Sequence, residues 1–115
     1  MGYQRDHAII VSAYYGEAID KAHATAVEIF GERRVSPILG EFTNGCRSFF
    51  IPPDGSKEGW SESGEGDARR AKLIDYLESG KYDDGSSALN WVEVQFGDDN
   101  YETKIVNDSD MHMRS

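Results

Sequence analysis

The sequence predicts an α+β domain: a four-stranded antiparallel sheet with two helices on one face. Three observations carry that expectation. Two segments, Glu17 to Phe30 and Asp67 to Ser79, place apolar residues at helical spacing. Runs of β-branched or alternating apolar residues stand before, between and after them. Between the helices, the stretch Val35 to Pro53 holds two apolar runs that meet at Asn44-Gly45. Asn-Gly is the strongest short hairpin signal, because both central residues of a two-residue turn need positive φ.

His7 to Tyr15 opens with a strand. Ile9, Ile10 and Val11 form a continuous apolar run, as a central strand requires, and Gly16 breaks it. In the first helix Ile19, Ala22, His23, Ala26, Val27 and Phe30 make one stripe. Glu17 and Asp20 suit its positive end, Gly31 its stop, and Arg33-Arg34 follow its negative end. In the hairpin, Pro37 cannot donate to a ladder and so marks an edge strand or a strand start. Phe49, Phe50 and Ile51 form the second arm, closed by the turn residues Pro52-Pro53-Asp54-Gly55.

Ser56 to Gly66 is polar, has glycines at 59, 64 and 66, and reads as a loop around a lone Trp60. In the second helix Ala71, Ile74 and Leu77, with Leu73 beside them, are expected inside, with Asp67 and Gly80 as its caps. Lys81 to Asn90 is a loop. Trp91 to Phe96 alternates, with Val92, Val94 and Phe96 on one face and Trp91, Glu93 and Gln95 on the other. An exposed sheet face is then expected to show aromatics such as Tyr14, or Trp91 beside Glu93. Tyr101 to Val106 is available as an extra C-terminal edge strand after the turn at 97–100. The resulting order, β-α-β-β-α-β, is the ferredoxin-like, split βαβ arrangement. Residues 1–110 are expected to form one domain and 111–115 a frayed tail.

Charge is the most informative quantity for function. The chain carries a net −9. Residues 54–115 hold fifteen acids against seven bases, whereas residues 1–53 hold six against five. Such a surface repels phosphate, so direct nucleic-acid binding is not expected, and the RNP pattern is missing. No apolar run approaches the ~20 residues that span a membrane. The first residues do not read as a signal peptide, and the single Cys46 allows no internal disulfide, in keeping with a reducing cytoplasm.

No catalytic set or cofactor motif emerges. Gly64-Glu65-Gly66 matches no phosphate loop. His7, His23 and His112 lack ligand spacing, and His23 reads as a core histidine. Asp98, Asn100 and Glu102 alternate like the start of a calcium loop, but Thr103 stands at the required glycine and Ser109 at the closing acid. Cys46 forms a nucleophilic pair with His7 or His23 only if folding joins them.

The expectation is therefore a small acidic, non-enzymatic module that binds protein. Its partner is a basic or nucleic-acid-binding protein that it inhibits or regulates. By size and charge alone it is similar to acidic proteins of phages and mobile elements. Asp83, Asp84, Glu93, Asp98, Asp99 and Glu102 are the expected acidic face, and Trp60 and Trp91 the aromatic anchors. The alternatives are a small-molecule site or enzyme cleft near Trp60, and a homodimer built on the open sheet face or an edge strand.

Overall fold

The structure is a computed structural model. It describes residues 6–14, 17–40, 43–53, 61–80, 89–97 and 103–109. It is an α+β fold with a four-stranded antiparallel sheet and two helices. The strands are β1 (Asp6–Tyr14), β2 (Cys46–Ile51), β3 (Asn90–Phe96) and β4 (Lys104–Asp108). Their order in the sheet is β2-β1-β3-β4. The helices are α1 (Ala18–Phe30) and α2 (Ser61–Ser79).

Strand β1 is central, as its Ile9-Ile10-Val11 run implies. It is antiparallel to β2 on one side (Ile9 opposite Ile51, Val11 opposite Phe49) and to β3 on the other (Ile9 opposite Glu93, Val11 opposite Trp91). Opposite residues share a face, so Ile9, Val11, Ala13, Phe49, Ile51 and Trp91 form one layer of the core. Helix α1 lays Ile19, Ala22 and Ala26 on that layer, with Val27 and Phe30 packed beside them. It ends at Gly31, whose φ of +91° suits glycine and whose N–H returns to the Val27 carbonyl at 2.8 Å. Helix α2 contributes Leu73, Ile74 and Leu77.

Three local expectations are corrected. First, Val35 to Pro53 is not a hairpin of two regular strands. Thr43–Gly45 is a 3-10 turn, and residues 36–39 meet β2 through a Ser36 N–H to Phe50 carbonyl bond and one bridge, Leu39 opposite Ser48. Pro37 lacks the N–H a ladder needs, so the pairing stays broken. Second, α2 begins at Ser61, within the stretch read as a loop. Gly64 and Gly66 lie within it, and their low helix propensity is why this stretch reads as a loop. Its buried stripe runs through Gly66, Arg70, Leu73 and Leu77, and Ala71 is exposed. Third, β3 faces the other way from the expectation: Trp91, Glu93 and Gln95 lie under the helices, and Val92, Val94 and Phe96 lie on the open face.

The C-terminal strand is at the sheet edge, running from Lys104 to Asp108. Its register against β3 shifts between Glu93 and Val94, a bulge of the sort that twists an edge. Among the described residues no helix is long and apolar enough to cross a membrane.

Candidate functional site

The helices cover one side of the sheet, and no described element lies across the other. On that open side the register builds apolar rows. Phe50, Ile10 and Val92 stand side by side across β2, β1 and β3, and Ala8, Val94 and Ile105 across β1, β3 and β4. Ile10, Phe50 and Ile105 are 43–49% exposed, and Tyr14 and Leu39 more so. Ser12 and Ser48 share a hydrogen bond of 2.7 Å between the rows and the Leu39 bridge. A shallow cavity of about 390 Å³ opens between Ile10, Val92 and Ile105. No Lys or Arg stands among the strand residues that the register puts on this face. Asp6, opposite Phe96, and Asp108, opposite Val92, stand at its margins.

A polar cluster lies on the helix-covered side. Glu93 is 6% exposed, on β3 directly opposite Ile9. His7 Nδ1–H donates to its Oε2 at 3.1 Å, and Asn107 Nδ2–H donates to its Oε1 at 2.8 Å. Arg70 Nε stands 3.8 Å from Oε2, and its Nη2 also donates to Asp67. Burial works to raise the Glu93 pKa. The hydrogen bonds from His7 and Asn107, then the charges of His7 and Arg70, outweigh it and hold the carboxyl below its ordinary range. Both carboxylate oxygens are thus engaged. The cluster ties β1, β3, β4 and α2 together rather than presenting a free base to the 280 Å³ cavity beside it.

Of the acidic-face and anchor residues singled out from sequence, the structure describes Glu93 and Trp91 and buries both. Glu93, expected on an acidic face, is buried, because the β1 register turns it toward His7 and Arg70. Trp91, expected as an exposed anchor, is 3% exposed and packs in the core. Trp60, Asp83, Asp84, Asp98, Asp99 and Glu102 lie outside the described residues, as do the calcium-like turn residue Asn100 and the C-terminal tail. Cys46 pairs with Tyr14 at one end of β1, and His7 pairs with Gln95 near the other. Seven residues of strand put them roughly 23 Å apart, too far for a nucleophilic pair. His23 is half-buried: its Nε2–H donates to the Ser36 carbonyl at 2.9 Å, and its ring meets Phe49 edge-on at 5.1 Å. Among the described residues no three His, Cys, Asp or Glu side chains group as metal ligands.

Comparison with protein-family models, curated proteins and solved structures returns no match.

Proposed function

We propose that this chain is a small acidic module that binds a basic protein through its open sheet face. One observation supports this above the others: large apolar side chains stand together on a face that no described element covers and that carries no base in its strands. Single exposed apolar residues are ordinary, whereas a contiguous group marks a contact surface. An apolar centre within an acidic surface fits a partner with an apolar patch ringed by Lys and Arg. Charge also selects between occupants. Two copies at −9 each repel one another, whereas a basic partner is drawn in. Nucleic-acid-binding proteins carry such basic surfaces, so inhibition or regulation of one of them is the form this reading takes. The fold is in turn read as a ferredoxin-like sheet. Its second strand is reduced to the Leu39–Ser48 bridge, and β4 is added at the far edge.

The test compares wild type with Ile10→Ser/Phe50→Ser as bait in parallel captures from lysate, eluted in salt steps. Support is a stoichiometric basic protein held by wild type, lost from the variant and released as salt rises. Sedimentation of the purified protein supplies the opposing result. A dimer that the same substitutions dissociate assigns the face to a second copy and overturns the basic-partner reading.

A further inference from the structure

We infer that the recess at the junction of α1, β2 and α2 is a binding site for a phosphate-bearing ligand. The recess holds about 210 Å³. Arg33 and Arg34 line it from the 3-10 turn after α1, and Arg69 and Arg70 from α2. Phe30, Pro52 and Pro53 make an apolar wall. Among the described residues no Asp or Glu lines it. Arg33, Arg34 and Arg69 make no side-chain hydrogen bond or ion pair among those residues. Arg70, which also lines the recess, engages Asp67 and Glu93, and Arg47, elsewhere on the helix-covered side, forks onto Asp20 at 3.0 and 3.1 Å.

That contrast is what singles the recess out. The chain has 21 acids and 12 bases, so a cation placed without purpose meets a carboxylate easily. Here four arginines line one apolar-walled recess, and three of them have no carboxylate partner among the described residues. The negative end of α1 accounts for some of the stabilisation of Arg33 and Arg34, which follow it, but not for Arg69 on a different helix. Guanidinium is the group that forks onto phosphate oxygens. A recess of this volume is below the ~300–1,000 Å³ of drug-sized pockets. It therefore seats a phosphate or diphosphate group, with the remainder of the ligand lying against Phe30 and the two prolines. Four arginines in one recess are also short of the basic track that a nucleic-acid backbone needs. The site lies on the helix side of the sheet and does not depend on the open-face reading.

Calorimetric titration at low salt with inorganic pyrophosphate tests the inference, on wild type, Arg33→Gln, Arg34→Gln and Arg69→Gln. Lys104→Gln, on β4, removes the same charge elsewhere. The expected result is one saturable pyrophosphate site, weakened about tenfold by each recess substitution, as losing a charge-assisted hydrogen bond implies, and unchanged by Lys104→Gln. Arg33 and Arg34 are exposed, so their variants keep the fold, which a thermal melt checks. Absence of saturable binding overturns the inference. So does equal weakening by Lys104→Gln, which makes the effect one of net charge. Citrate binding as tightly as pyrophosphate overturns the assignment to phosphate.

Discussion

Replacing Glu93 with Gln keeps the shape of the side chain and removes its charge. The structure sets the size of the effect. Two side-chain hydrogen bonds end on the carboxylate, at 3.1 and 2.8 Å, and Arg70 stands 3.8 Å away. Hydrogen bonds to a charged group contribute about 1.5–3 kcal/mol each and neutral ones about 1. Asn107 still finds an amide oxygen in the variant, but His7 faces either a weaker acceptor or a second donor. The expected loss at pH 7 is on the order of 2 kcal/mol, or roughly 10 °C in melting temperature for a domain of this size. Urea unfolding followed by tryptophan fluorescence measures it, with Trp91 as a buried reporter on the same strand. The pH dependence is the sharper part. A carboxyl whose pKa is depressed by folding stabilises the native state above its unfolded value, about 4.3. That contribution is lost as pH falls through the folded value. Wild type and Glu93→Gln should therefore differ most near neutrality and converge progressively below about pH 4.3. Equal stability at pH 7, or a gap that stays constant down to pH 3, would refute the claim that the buried carboxylate holds these elements together.

Phe49→Ala removes a ring that is 1% exposed and braced edge-on by His23, and should cost about 3–5 kcal/mol in urea unfolding. Two glycine substitutions should have opposite signs in thermal melts. Gly64→Ala, on an exposed turn of α2 with open space for a Cβ, should stabilise by about 0.5–1 kcal/mol. Gly97→Ala should destabilise by about 1–3 kcal/mol. Its φ is +87°, and a Cβ there lies 2.6 Å from Asp6 Oδ2.

Periodicity made the helices and β1 legible, because burial of one helix face or of a whole strand leaves its trace in the residues themselves. The α1 stripe from Ile19 to Ala26 is buried as its spacing implies. What escaped was decided by partners far along the chain. Trp91-Val-Glu-Val-Gln-Phe96 has apolar residues in both phases of its alternation, so spacing alone could not say which phase faces inward. The register with β1 decides it. Glu93 tolerates burial because His7, 86 positions earlier, and Arg70 on α2 meet it there. The broken pairing at residues 36–39 was half-legible: Pro37 announced an edge, but Asn44-Gly45 suggested more regularity than the neighbouring backbone supports. The arginine recess was not legible. Arg33-Arg34 read as helix-end charges, and nothing in the sequence brings Arg69 beside them.

The place of β1 in the sheet also governs how the chain acquires its structure. Its two neighbours are β2, about 40 residues downstream, and β3, about 80 downstream. Sheets built on such distant pairings close slowly, on the scale of milliseconds to seconds, because the chain must search before contacts reward it. A ribosome releases β1 first and β3 much later, so the Ile9-Ile10-Val11 run spends that interval with one ladder edge bare. A nascent chain halted before Asn90 would hold this apolar strand without the neighbour that seals its second edge. Such intermediates are natural clients for a chaperone.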